Sequence, residues 1–373
     1  MTTSTTTLKR NTIICGDALT IMKTLPAQSI DMVFFSPPYF RLRNYGIGSR
    51  KGELGQESTI NQWVDNLFAI CQQAKRLLTP TGGLWLNLGD TYSNHIQRGA
   101  QRKSLLLGPE RLALQLITDG WLLRNNIIWA KTSHLPCSAH DRLTNAWEHL
   151  YFLTPSPDHF FDLDAIRQPH TSPARPPHRP RWDKPNLRRP AGRHDQTRPN
   201  DPRASSHHTH GLANLKATGL PGHPLGKNPG DVWTIPVSNQ GTYHTATMPL
   251  ELAKRAIAAG CPEQRCTHCH APYVRDPEQT RRRAQRLGYT AIGTLPPRPD
   301  IPLTPTCTCR ANNPNSNTST DTEPGLVLDP FMGSGTTAIA ARQLSRDWLG
   351  IELNPEYARY ATTRLTQTEP EDK

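Results

Sequence analysis

Two apolar runs near opposite ends of this 373-residue chain lead straight into loops through which no regular strand can continue. Ile30-Asp31-Met32-Val33-Phe34-Phe35 enters Ser36-Pro37-Pro38-Tyr39, where two prolines fix φ and remove backbone donors. Leu326-Val327-Leu328 enters Asp329-Pro330-Phe331-Met332-Gly333-Ser334-Gly335-Thr336-Thr337, where glycines permit a tight turn into a helix. Open α/β sheets hold ligands at such strand ends, so the pair predicts one site built from two distant halves of the chain.

The segments around these runs alternate between strand and helix patterns. Asn11–Cys15 is β-like, Ala18–Leu25 is helical up to Pro26, and Trp63, Leu67, Ile70, Ala74 and Leu77 line one helix face within Ile60–Leu78. Pro80 and Gly82-Gly83 are expected to stop that helix before a strand at Leu84–Leu88. A helix at Pro109–Thr118 and strands at Leu122–Trp129 and Trp147–Leu153 continue the alternation, which implies a mostly parallel sheet. Periodicity returns at Pro249–Ala259, a helix closed by Gly260. Near the C-terminus, a helix at Thr336–Leu344 and a strand at Trp348–Leu353 precede Asn354-Pro355, an N-cap with proline at the first helical position.

Between these halves, from about Arg167 to Gly230, Arg, Pro and His crowd the chain and no core of its own can form. The chain carries 43 Lys and Arg against 31 Asp and Glu, a formal charge of +12, which favours a polyanionic partner. No basic amphipathic helix is visible, so nucleic acid is favoured over membrane. With no apolar h-region near Met1 and no 18-residue apolar stretch, a soluble, cytoplasmic protein is expected. Arg175, Arg179, Arg181, Arg188 and Arg189 are the candidate nucleic-acid contacts, through phosphates or bidentate pairing with guanine, against the plain alternative of a solvated linker.

Alone, Gly333-x-Gly335 describes only a tight βα turn, and the loop is neither a Walker A sequence nor a full G-x-G-x-x-G. Glu352 ends the next strand 17 residues after Gly335, near the ~20-residue offset at which an acid meets a ribose diol. A nucleoside ligand without pyrophosphate is therefore expected. At the other loop, Ser36 and the proline carbonyls present acceptors suited to an amino group, and Tyr39 offers a face for a planar base, worth ~1–3 kcal/mol where such stacking occurs. A proline-rich turn with a core tyrosine is the plain alternative.

Taken with their order, these segments resemble the amino-methyltransferases that act on exocyclic nitrogens of DNA bases, in the circularly permuted arrangement called the β class. The resemblance covers roughly residues 10–165 and 230–367 and includes the blocks Gly83–Asp90, Gly120–Lys131 and Asp141–Asp162. It implies a Rossmann-like S-adenosylmethionine-dependent methyltransferase fold, with Ser36, Pro37, Pro38 and Tyr39 as the catalytic loop. Asp329, Pro330, Phe331, Gly333, Ser334, Gly335, Thr336, Thr337 and Asn354 would surround the cofactor. Asp17 would meet its adenine, Glu352 its ribose, and the segment beginning at His244 would close over it.

By the same resemblance, the substrate would be double-stranded DNA, and the chain either the modification partner of a separately acting cognate restriction endonuclease or an orphan methylase. Ser at the first motif position usually accompanies cytosine N4 methylation and Asp adenine N6 methylation, while RNA and protein acceptors tend to accompany Asn. The alternatives are therefore adenine N6 and, in another class, a catalytically silent nucleic-acid-binding module on this fold. The target nitrogen is inaccessible in a stacked duplex, so base flipping is expected.

Cys266-x-x-Cys269 and Cys307-x-Cys309 have the arrangement of a four-thiolate structural zinc knuckle, with His268 or His270 as substitute ligands and free thiols as the alternative. Cys15, Cys71, Cys137 and Cys261 read as small, partly buried residues. The expected division is 1–166 (catalytic half), 167–232 (basic target-recognition insertion), 233–260 (cofactor-closing segment), 261–323 (zinc-knuckle-like insertion) and 324–373 (cofactor half).

Overall fold

The computed structural model describes residues 8–42, 54–133, 137–171, 222–237, 248–309 and 321–368. In chain order the strands are β1 (Thr12–Cys15), β2 (Ile30–Phe35), β3 (Leu78–Leu88), β4 (Leu122–Lys131), β5 (Trp147–Thr154), β6 (Val232–Ile235), β7 (Gln264–Cys266), β8 (Tyr273–Val274), β9 (Thr304–Pro305), β10 (Thr322–Pro324), β11 (Leu326–Asp329) and β12 (Asp347–Glu352). The helices are α1 (Ala18–Thr24), α2 (Ile60–Leu77), α3 (Gly108–Thr118), α4 (Leu250–Gly260), α5 (Pro277–Arg286), α6 (Thr336–Gln343) and α7 (Pro355–Gln367).

Eight strands form one sheet in the order β1-β12-β11-β2-β3-β5-β4-β6. Its left half is parallel throughout, with β1 on β12, β12 on β11, β11 on β2 and β2 on β3. The mostly parallel expectation is modified on the right, where β5 runs antiparallel to both β3 and β4. The physical reason lies in the connection: a hairpin-like return from β4 to β5 needs no crossover helix, whereas parallel neighbours do.

Both faces of the sheet are covered. Val33, Phe35, Leu84, Leu86, Leu328 and Ile351 join α1, α2 and α3 in one core, while Met32, Phe34, Trp85, Val327 and Trp348 join α4 and α6 in another. This period-2 division explains why the strands read as unbroken apolar runs: every residue faces a helix layer. In α2, Thr59 and Gln62 form a capping box, and the face expected from Trp63, Leu67, Ile70, Ala74 and Leu77 is buried. Pro80 and Gly82 do not separate α2 from the strand as expected. They sit inside β3, which begins directly at Leu78, and the pairing with β2 shifts register there. A side chain at position 82 would meet the Asp31 carbonyl at 2.9 Å, so glycine permits this close approach.

Two compact units are distinguished: Met1–Ile166 with Gly230–Val274 and Leu303–Lys373, and Arg167–Pro229 with Arg275–Pro302. The insertions expected from sequence are 167–232 and 261–323. The second unit holds α5, capped by Asp276, and a pairing of Gln168 with Lys227. In the first unit, Arg265 is 1% exposed and donates to Asp31 Oδ2 at 3.0 Å, the Ser29 carbonyl at 2.7 Å and Glu323 at 2.9 Å. Asp31 also accepts from the Leu326 amide at 2.7 Å, which ties β2 to the start of β11. Cys71 and Cys261 are buried and Cys137 half-buried, but Cys15 is exposed, contrary to expectation, because β1 is an edge strand.

Burial pushes the Asp31 carboxyl up to about 6, against the opposing pull of Arg265. Arg265→Ala strands this acid without its cation and is expected to lower unfolding free energy by about 3–5 kcal/mol at pH 8. Urea denaturation should show a smaller loss at pH 5, where Asp31 can take up a proton.

Candidate active site

The site lies where the sheet's winding reverses. From β2 the chain proceeds through α2 to β3 on one side, and from β11 through α6 to β12 on the other, while β2 and β11 themselves pair in parallel at Val327↔Met32 and Leu328↔Val33. At such a switch point the two following loops diverge and leave a crevice at the strands' C-terminal ends. Ser36-Pro37-Pro38-Tyr39 and Asp329–Thr337 are those two loops, and the Phe35 and Phe331 rings meet across them at 5.4 Å.

In the first loop, Tyr39 is held at its hydroxyl. It donates to Glu148 Oε2 at 2.6 Å and lies 3.1 Å from Ser36 Oγ. Because the phenolic proton is committed to the carboxylate, the Ser36 hydroxyl donates to Tyr39 and its lone pairs are left for another partner. Glu148 is itself fixed by Lys131 Nζ at 2.6 Å and Asn87 Nδ2 at 3.1 Å. The Pro38 carbonyl accepts from Trp63 Nε1 at 2.9 Å, so α2 clamps the loop from beneath. Gly89 allows the tyrosine its place: a Cβ there would meet Tyr39 Cε2 at 2.8 Å.

In the second loop, Gly333 and Gly335 take left-handed φ values of 51° and 82°. Asp329 Oδ1 accepts from the Phe331 amide at 2.9 Å and Oδ2 from Thr337 Oγ1 at 2.5 Å, bracing the turn internally. Glu352 accepts from the Gly333 amide at 2.7 Å and the Asn354 amide at 2.8 Å. Asn354 in turn caps α7 through the Glu356 amide, and Arg364 donates to the Ser334 carbonyl at 2.8 Å. Asp17 is exposed and caps α1 through Thr20. It stands at the end of β1, whose Cys15 pairs with Glu352 and whose Gly16 amide donates to the Glu352 carbonyl at 2.9 Å. Asp17, Glu352, the glycine loop and the Ser36 loop thus follow four neighbouring parallel strands at one edge of the sheet.

His244, Arg175, Arg179, Arg181, Arg188 and Arg189 lie outside the described residues. From sequence, Glu148, Asn87 and Lys131 are not marked as site residues, and Trp63 is marked only as part of the α2 face. Their one signal was position: Glu148 falls within the Asp141–Asp162 block and Asn87 within Gly83–Asp90.

The four cysteine sulfurs of Cys266, Cys269, Cys307 and Cys309 lie within 4.8 Å of one another. A tetrahedral zinc with Zn–S bonds of about 2.3 Å requires sulfurs about 3.8 Å apart, so small side-chain adjustments suffice. Neither His268 nor His270 belongs to the cluster. His270 instead meets the Gln28 carbonyl through Nδ1 at 3.0 Å.

A family model described as DNA methylase, of the N6/N4 type, matches residues 30–269 and 318–363. The type II methyltransferase M.Cfr9I of Citrobacter freundii is 27% identical over 376 residues, covering 95% of this chain and 87% of that protein. M.SmaI of Serratia marcescens, also a type II methyltransferase, is 26% identical over 374 residues, covering 95% and 90%. A solved structure described as PvuII DNA methyltransferase, cytosine-N4-specific, superposes with a TM-score of 0.52 at 16% identity, covering 97% of this chain and 87% of that one, a likeness of fold.

Burial, with the nearby Glu352 charge, pushes Asp329 up to about 7 despite its two hydrogen bonds, and burial also raises Glu352. Since the folded pKa of Asp329 exceeds its unfolded value, the folded state holds an extra proton between about pH 4 and 7, and this group's contribution to stability falls as pH rises through that window. Asp329→Asn is expected to flatten that slope in thermal melts of the free protein from pH 4 to 8. An unchanged slope would mean Asp329 does not titrate in this way.

Proposed function

This chain belongs to the N6/N4 DNA methylase family, and from that membership we propose a site-specific cytosine-N4 methyltransferase that uses S-adenosylmethionine and flips its target base. The observation that carries the proposal is the adjacency of the Ser36 loop and the Asp329–Thr337 loop at the switch point between β2 and β11. The type II methyltransferases it resembles support a place in a type II restriction-modification system.

The residues of the second loop fit the cofactor. Two left-handed glycines keep side chains away from the turn, and the Glu352 carboxylate, held by backbone amides, retains lone-pair capacity for a ribose hydroxyl. Asp17, Asp329, Pro330, Phe331, Ser334, Thr336, Thr337 and Asn354 would frame the same crevice, with the segment at His244 closing it. When bound, S-adenosylmethionine supplies an electrophilic methyl on sulfur.

The protein's part is to hold an amine in line with that methyl and to make its nitrogen lone pair available. Ser36 Oγ, its own proton directed at Tyr39, accepts from the amine. The Pro37 carbonyl, with no donor of its own on the proline nitrogen, can accept the amine's other hydrogen. Two acceptors draw the nitrogen toward tetrahedral geometry and stabilise its developing positive charge. Glu148, at the end of the Ser36–Tyr39–Glu148 chain, makes Ser36 a better acceptor by polarising the intervening hydroxyls. Ser36, rather than Asp, at the first motif position supports cytosine over adenine.

Wild-type protein is expected to transfer labelled methyl from S-adenosylmethionine to unmethylated DNA. Ser36→Ala should keep cofactor affinity within about twofold while losing about 10²–10³ in turnover, as removal of one charge-stabilising group does elsewhere. A Ser36→Ala rate equal to wild type would remove Ser36 from the chemistry.

We further propose that Cys266, Cys269, Cys307 and Cys309 hold a structural zinc, four thiolates leaving no open position for a reacting water. Elemental analysis should find zinc equimolar with protein and less of it in Cys307→Ser. Metal-free protein with unaltered stability would return the cysteines to free thiols.

A further inference from the structure

A second feature borders the Ser36 loop without belonging to the chemistry. The segment from Thr91 to Leu107 contains no aspartate or glutamate and carries Arg98, Arg102 and Lys103. Opposite it, Ala139–Asn145 carries His140 and Arg142 with one acid, Asp141. Between them lies an open cleft of about 340 Å³, lined among others by Tyr92, Ser93, Arg102, Lys103, Asp141 and Arg142.

The cleft is braced rather than loose. Tyr92 bridges to Leu105, the Ser93 amide donates to the Ser104 carbonyl at 2.8 Å, and the Lys103 amide returns to the Ser93 carbonyl at 2.7 Å. The Arg142 guanidinium lies 3.6 Å from the centre of the Tyr92 ring, and Tyr92 donates its hydroxyl proton to Asn145 at 3.2 Å. Stacking of this kind holds the planar cation in one orientation. Lys103 meets Asp141 at 2.5 Å in an exposed pair, and Arg102 has no carboxylate partner among the described residues.

Two connections set the cleft beside the catalytic loop. Thr91 Oγ1 donates to the Phe40 carbonyl at 3.2 Å, directly after Tyr39. Six residues beyond Arg142, Glu148 accepts from Tyr39 itself. A nucleotide entering the crevice at Ser36 remains covalently joined to its strand, so its flanking phosphates must run over the rim of the site. The cleft's cationic groups are exposed, which suits a chain of phosphates that stays partly hydrated and binds by counterion release.

We propose that this cleft grips the phosphodiester backbone of the target DNA strand beside the flipped nucleotide. The proposal rests on the DNA methylation reading and adds to it a surface distinct from the arginines of the 167–232 segment.

The test uses the full chain and its Arg102→Ala/Lys103→Ala variant, binding a duplex of arbitrary sequence about 30 base pairs long across a salt series and methylating unmethylated plasmid DNA. Because the variant leaves two phosphates without a neutralising cation, the slope of log affinity against log salt should decrease by about 2. KM for DNA should rise about tenfold, with turnover at saturating DNA and cofactor affinity unchanged. Asp141→Asn, which removes the cleft's carboxylate, should tighten duplex binding severalfold, a gain that misfolding cannot produce. Wild-type slope and KM in the double variant, with no gain in Asp141→Asn, would overturn the proposal. A wild-type protein that binds duplex but transfers no methyl would instead refute the enzymatic reading, and the slope comparison would still decide the cleft.

Discussion

Everything at the candidate site depends on the parallel pairing of β2 with β11. These strands come from opposite ends of the sequence, and only their pairing brings Ser36 and the Asp329–Thr337 loop to a common edge. Closing so long an intervening loop is less costly than it looks, because loop entropy grows only with the logarithm of length. The pairing is secured from both faces of the sheet, by Val33, Phe35 and Leu328 against one helix layer and Met32, Phe34 and Val327 against the other. Arg265 adds a polar fastening at the strands' opposite ends, holding the Asp31 carboxylate that also receives the Leu326 amide.

The acids of the site show what this arrangement sacrifices. Asp329 is 3% exposed and Glu352 8%, and each is satisfied chiefly by backbone amides or a hydroxyl rather than by a cation. Burial raises both carboxyls, and the hydrogen bonds they accept only partly oppose it. A glycine loop braced from beneath by two acids is rigid before any ligand arrives, and rigidity of that kind reduces the ordering that binding must impose. Glu148 follows a different logic: paired with Lys131, it keeps a cation close and orients Tyr39 through a short hydrogen bond.

Much of this was legible in the sequence because strand burial on both faces writes itself as continuous apolar runs, and because proline and glycine mark loops unambiguously. Ile30–Phe35, the α2 face and the Asn354-Pro355 start of α7 all follow from such local rules. Less legible were features decided by long-range partners. The antiparallel turn of β5 depends on which strand it finds, and Pro80 lies inside β3 because a register shift against β2 accommodates it. Glu148 and Asn87 looked like ordinary strand residues until Tyr39 was seen to reach them across the sheet. The cysteine quartet, by contrast, was readable from spacing alone, although the exclusion of His270 required seeing it engaged with Gln28.

The cleft proposed beside Tyr92 is a braced, cationic surface joined through Thr91 to the Phe40 carbonyl, directly after the Ser36 loop. The central claim, that the two loops together methylate an exocyclic amine of DNA, is tested most directly by nucleoside mass spectrometry of DNA from cells expressing the protein. N4-methylcytosine, absent from cells expressing Ser36→Ala, is the outcome this account predicts. N6-methyladenine alone would contradict the base assignment, and DNA with neither modification would contradict the claim itself.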